Sequence, residues 1–97
     1  MTATKFNLGQ ILATPSALEA MEVSGQTPAF FLDQHHVGNW GDVSAGDWKL
    51  NDEALKDGSR ILSVYRTLGG KKLWIITEAI DDAGQRAATT ILLPEEY

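Results

Sequence analysis

The residues of this 97-residue chain best suited to chemistry are His36, Trp40, Asp42, Asn51, Tyr65, Arg66, Trp74, Thr77 and Arg86. They are suited to holding a ligand rather than transforming one. Guanidinium forks such as those of Arg60, Arg66 and Arg86 match phosphate geometry, and flat rings such as Trp40, Tyr65 and Trp74 stack on bases. Trp40 sits in an unusual loop, Gly38-Asn39-Trp40-Gly41-Asp42, whose glycines permit close backbone approach. The loop either presents the indole to a ligand or plugs the core with it. Asn51 falls on an apolar stripe with Trp48 and Leu55 and needs partners there, because an unsatisfied buried amide is expensive. Candidates for those partners are the Trp40 loop and sheet residues such as Ser63, or a ligand. Arg66 and Lys71-Lys72 also read as hairpin-edge charges that discourage sheet-to-sheet aggregation.

Catalytic patterns are sparse. There is no cysteine, hence no thiolate nucleophile and no Cys-based metal site. The sequence holds no Gly-x-Ser-x-Gly, Walker-type loop, Gly-x-Gly-x-x-Gly or His-Glu-x-x-His. His35 and His36 are adjacent, so on a helix they diverge by about 100° and make a poor metal pair. Ser63, Thr77, Glu78 and His36 can be assembled only on paper. The chain is therefore expected to be no enzyme and to carry no metal and no cofactor. His35, one turn beyond Phe31, reads as a helix-end residue whose cation the helix dipole favours.

These side chains need a scaffold, and the stretch from Ser59 to Leu93 supplies its centre. Three apolar runs, Arg60–Arg66, Lys72–Thr77 and Ala88–Leu93, predict a three-stranded antiparallel meander. Gly69-Gly70 predicts a two-residue hairpin turn that sets Tyr65 opposite Trp74, Ser63 opposite Ile76 and Ile61 opposite Glu78. The other face then carries Leu62, Val64, Ile75, Thr77 and Leu92. Both faces are largely apolar, and the helices of so short a chain can coat only one of them fully, leaving the other for self-association or a ligand. Asp81 to Gln85 has turn chemistry of its own.

Upstream, Asn7–Ala13 reads as a short strand or bulged edge that could add a fourth strand. Thr14-Pro15 and Thr27-Pro28 each combine a cap with a proline at the first helical position; Gly25 and Gly38 end those two helices. Ser44 with Asp47 opens a third, closed by Gly58. The fold class is α+β: a three- or four-stranded antiparallel sheet packed with about three short N-terminal helices. The chain is expected to form one domain, with residues 1–5 disordered, 6–58 mainly helical and 59–97 a meander.

Composition bounds the rest. Thirteen acidic against eight basic residues, net −5, argue against duplex nucleic acid as a direct partner, since phosphate neutralisation dominates such binding. No apolar run approaches the roughly 20 residues that span a bilayer, and Met1–Lys5 does not lead into a signal-peptide core. No membrane association and a cytoplasmic location are expected.

Phe6-Asn7-Leu8-Gly9-Gln10-Ile11, Ala13-Thr14-Pro15, His36 through Asp42, Asn51, Ser63-x-Tyr65, Trp74 to Ala79 and Thr89 to Tyr97 together resemble a family of short proteins of bacterial chromosomes, plasmids and phages. Its members are often labelled plasmid-related protein or type I restriction endonuclease subunit M. The chain is too short for a methyltransferase domain and lacks an Asn-Pro-Pro-Tyr-like motif. Residues 80–84 also extend the second turn beyond the family's tighter form. The resemblance implies an accessory gene of mobile or defence-linked DNA. The expected function is a non-enzymatic, anti-defence binding protein that sequesters a nucleotide-type signal of host immunity. The alternatives are an inhibitor that binds a host defence protein, of the restriction or CRISPR type, or a homo-oligomeric structural module. A small phosphoester-acting enzyme ranks last.

Overall fold

A computed structural model describes residues 3–97. Three helices and four strands follow one another as β1 (Gln10–Ala13), α1 (Pro15–Val23), α2 (Pro28–His36), α3 (Ala45–Asp57), β2 (Ile61–Arg66), β3 (Lys72–Thr77) and β4 (Ala88–Leu92). A single 3₁₀ turn, Pro94–Glu96, follows β4. The strands form one sheet in the order β1-β4-β3-β2. The α+β architecture is as expected, with one refinement: the sheet is mixed. β1 runs parallel to β4, with Ile11 beside Thr89 and Ala13 beside Ile91, whereas β2–β3 and β3–β4 are antiparallel. Three helices and two strands intervene between β1 and β4, so the chain has ample length for the crossover that a parallel neighbour requires. Of the N-terminal residues expected to be disordered, 1 and 2 lie outside the described residues. Lys5 is tied down, its N–H donating to the His36 carbonyl at 2.9 Å.

Local chemistry starts and stops the helices where the sequence indicates. Thr14, Thr27 and Ser44 are the N-caps, each accepting from the backbone N–H three residues on. Gly58 caps α3 in the left-handed conformation.

The β2–β3 hairpin departs from expectation. Its register pairs Tyr65 with Leu73, Val64 with Trp74, Ser63 with Ile75 and Ile61 with Thr77. The connection is not a two-residue Gly-Gly turn but five residues, Thr67–Lys71. Thr67 bonds both the N–H and the carbonyl of Lys71, and Gly70 supplies the positive φ. The N–H groups of Leu68 and Gly69 are taken by the side chains of Gln26 and Ser24 in the α1–α2 connection. These partners lie over forty residues away in sequence, so a local reading of the turn misses them. The shift of one residue moves all of β3 to the opposite face.

One face therefore carries Ile61, Ser63, Tyr65, Leu73, Ile75, Thr77, Thr89, Ile91 and Leu93, all buried. All three helices pack on it. Ala17, Ala20, Met21 and Phe31 of α1 and α2 form one cluster with Tyr65, Leu73, Ile75 and Ile91; Ala54 of α3 forms a second with Trp40 and Ile61. The opposite face carries Leu12, Leu62, Val64, Trp74, Ile76, Thr90 and Leu92; no α-helix covers it, but the 3₁₀ turn and Tyr97 fold back onto β3, and Val64, Ile76 and Leu92 are buried.

Candidate functional site

The helix-covered face contains a buried polar chain whose key residue, His35, the sequence reading leaves as an ordinary helix end. α2 aims the imidazole at the sheet, where Nδ1 meets Ser63 Oγ at 2.5 Å and Nε2 meets Thr77 Oγ1 at 2.8 Å. Thr77 Oγ1 lies 2.7 Å from Thr89 Oγ1, which donates to the Leu8 carbonyl at 2.7 Å. The proton order follows from the far end. A carbonyl can only accept, so the Thr89 hydroxyl proton points at Leu8 and Thr89 accepts from Thr77. Thr77 then accepts from His35, which places the ring proton on Nε2 and leaves Nδ1 to accept from Ser63. Every member is satisfied, and the ring is neutral. Burial, reinforced by the nearby charges of His36 and Arg86, pushes the imidazole down from 6.5 to about 3. Desolvation thus overrides the dipole argument for a His35 cation. The Ser63–His35 pair looks like a nucleophile and its base, but His35, Ser63, Thr77 and Thr89 are all fully buried, and no substrate reaches them.

Most of the other singled-out residues are likewise occupied by the fold. His36 Nε2 donates to the Phe6 carbonyl at 2.7 Å and fixes the N-terminal segment. Trp40 is the core plug rather than a displayed ring: it is fully buried and donates from Nε1 to Asp52 at 3.0 Å. Arg86 is buried too. Its guanidinium donates to the carbonyls of Ser59, Glu78 and Ala54 at 2.8, 2.9 and 3.0 Å, tying the C-terminal end of α3 to the sheet. Tyr65 donates its hydroxyl to the Asn39 carbonyl, and burial pushes its phenol up to about 12.

Asn51 finds the structural partner that its stripe position demands. Nδ2 donates to the Leu62 carbonyl at 2.7 Å and Oδ1 accepts from the Leu62 N–H at 3.2 Å, so the amide acts as one residue of an absent strand. Next to it, the Trp40 loop runs parallel to β2: Val64 N–H donates to Trp40 O at 3.0 Å and Asp42 N–H to Val64 O at 2.6 Å. Gly41 makes this approach possible. Its φ is 78°, and a Cβ there would stand 2.0 Å from the Val64 carbonyl oxygen. The β2 edge of the sheet is thereby sealed along Leu62 and Val64, and the charged Arg66 stands at its end.

Two surfaces hold the remaining candidates. The first is a cleft of about 290 Å³ at that sealed edge, lined by Phe30, Phe31, Gln34, Asp42, Tyr65 and Arg66. It gathers three of the expected ligand residues, Asp42, Tyr65 and Arg66. Arg66 and Asp42 form an exposed ion pair at 3.7 Å. The second is the helix-free sheet face, where Trp74 is half-buried. The 3₁₀ turn brings Tyr97 back so that its ring centroid lies 5.5 Å from that of Trp74. Arg60 donates to the Tyr97 hydroxyl at 2.5 Å, with its guanidinium carbon 5.5 Å from the ring centre. Tyr97, Arg60 and the register that places Trp74 here were absent from the sequence reading as a group. The only signal was the apolar character of both sheet faces.

No helix among the described residues is long and apolar enough to cross a membrane. Comparison with family models, curated proteins and solved structures finds no match to this chain.

Proposed function

We propose that this chain is a non-catalytic protein-binding module whose contact surface is the helix-free sheet face. One observation carries the reading: Trp74, Tyr97 and Arg60 stack as a unit on the sheet face that no α-helix covers, over Val64, Ile76 and Leu92, which they and their neighbours leave only 6–8% exposed, so that the surface offered is the half-buried Trp74 ring and the exposed Tyr97 ring themselves. Trp, Tyr and Arg are the residue types that dominate binding energy at protein interfaces. Arg60, Arg66 and Lys72 stand at the ends of β2 and β3, a cationic margin on a chain of net charge −5. This margin suits a partner whose own surface is acidic. The accessory role in mobile DNA that the family resemblance implies would make a host defence protein the partner.

The test is a pull-down from host lysate with the natural chain, Trp74→Ser and, as control, Val23→Ser on the far side of α1. A partner held by the natural chain and the control but lost with Trp74→Ser supports the reading. Equal retention by all three, or by none, refutes it.

The cleft supports a second reading, sequestration of a nucleotide-type signal. Phe30 is 52% exposed at its rim and Arg66 offers a guanidinium beside it, the pairing that a stacked anionic base needs. Calorimetry against cyclic di- and trinucleotides should then give heat that Arg66→Ala abolishes. Flat isotherms for the natural chain would dismiss it.

A further inference from the structure

The two edges of the sheet are treated in opposite ways. The β2 edge is sealed by Asn51 and the Trp40–Asp42 segment. The β1 edge is not. Gln10 N–H donates to Ala87 O and Thr14 N–H to Ile91 O, both at 3.0 Å, so residues 10, 12 and 14 turn their backbone groups toward β4. The N–H and C=O groups of Ile11 and Ala13 point away from the sheet, and among the described residues nothing bonds them. Ile11 and Leu12 are 45% and 42% exposed. Natural edge strands are normally protected by charge, proline or a bulge. Here the thirteen residues from Phe6 to Leu18 hold no charged side chain, and the neighbouring strand β4 holds none either.

We infer that β1 pairs with β1 of a second copy of this chain, antiparallel about a two-fold axis through Leu12. Charge argues for a second copy. Two chains of net charge −5 repel unless they meet on neutral ground, and the β1 and β4 strands are that ground, with the cations and Glu78 on the β2–β3 side and the nearby Glu96 carboxylate engaged by the Thr14 hydroxyl at 2.7 Å and the Leu93 N–H at 2.8 Å. Geometry agrees. With Leu12 opposite its symmetry mate, Ile11 of each chain faces Ala13 of the other, and both outward N–H and both outward C=O groups of each strand are satisfied reciprocally. Leu12 occupies the non-hydrogen-bonded position, where opposing side chains come closest. The two four-stranded sheets become one, with both Trp74 faces on the same side. The sealed β2 edges terminate it, so the assembly closes as a dimer instead of growing into a fibre. The inference does not depend on what the Trp74 face binds.

Sedimentation of the natural chain from low to high micromolar concentration should show a concentration-dependent dimer. Leu12→Lys, which sets two ammonium groups against each other on an exposed site, should return it to a folded monomer, with an unchanged circular dichroism spectrum and a melting temperature that no longer rises with protein concentration. Trp74→Ser should leave the dimer intact. Because the chain has no cysteine, Leu12→Cys offers a second readout. Opposed non-hydrogen-bonded positions lie about 4.5 Å apart between Cα atoms, within disulfide range, so mild oxidation should give a covalent dimer, and Val23→Cys should not. A natural chain that stays monomeric throughout, a Leu12→Lys variant that still dimerises, or a Leu12→Cys variant that cross-links no faster than Val23→Cys would each overturn the inference.

Discussion

Asn51 holds both backbone groups of Leu62, donating to its carbonyl at 2.7 Å and accepting from its N–H at 3.2 Å. One side chain thus does for the β2 edge what a neighbouring strand would do, and it does so from a buried position. Replacing it by Leu leaves a part-buried donor and acceptor unpaired, at a cost of about 2–3 kcal/mol. Chemical denaturation measures this directly. Asn51→Asp should be no better, because a carboxylate keeps the acceptor but cannot donate to the carbonyl. A loss below about 0.5 kcal/mol for Leu, the range of an inert surface change, would contradict the clamp.

The depressed titration of His35 makes stability depend on acid. Its folded pKa, about 3, lies below the unfolded 6.5, so between those values the unfolded chain takes up a proton that the folded chain refuses. Stability is full above pH 6.5 and falls as the pH drops toward 3. Linkage gives a loss of about 2 kcal/mol between pH 7 and pH 5 from this one group. His35→Gln should be less stable at pH 7 and should lack that component. Parallel pH slopes for the two proteins in urea titrations would show that His35 is not the group responsible.

Gly41 and Gly25 separate two effects of adding a methyl group. Both have positive φ, 78° and 68°, yet a Cβ at Gly25 meets nothing within 4 Å while one at Gly41 would sit 2.0 Å from Val64 O. Gly25→Ala should cost about 1–2 kcal/mol, the price of the left-handed conformation alone. Gly41→Ala adds a backbone clash and should cost more than about 3 kcal/mol, since strain and the lost β2-edge bonds combine. Equal melting temperatures for the two variants would refute the close approach.

Trp40 and Trp74 should behave oppositely. Trp40 is fully buried with its N–H on Asp52, so Trp40→Ala should cost about 3–5 kcal/mol and unfold much of the population. Trp74 is half-buried and stacks on Tyr97. Trp74→Ser should cost more modestly, about 1–2 kcal/mol, and leave a folded chain by circular dichroism. A Trp74→Ser variant as unstable as Trp40→Ala would place Trp74 in the core.

The helix boundaries and three of the four strands were legible in sequence because their causes are local, whereas β1 could be read there only as a strand or a bulged edge. A Thr or Ser cap, a proline at the first helical position and a glycine at the stop act within a few residues of where they stand. Asn51's need for a partner was legible for a similar reason: its helical spacing put an amide among apolar neighbours. The fate of Arg86 was not, since nothing near it in sequence says that three carbonyls from three separate segments will converge on it.

By itself the amino-acid sequence determined an α+β chain with three capped helices, a β-rich C-terminal third and more apolar strand surface than its helices could cover. Tertiary structure alone decided which surface stayed open. Ser24 and Gln26 hold the hairpin turn at five residues, and that choice rotates Trp74 to the helix-free face and Thr77 to His35. The reason is the two-residue period of a strand: one residue of register exchanges inside for outside. Here the register is set by contacts between segments far apart in the chain.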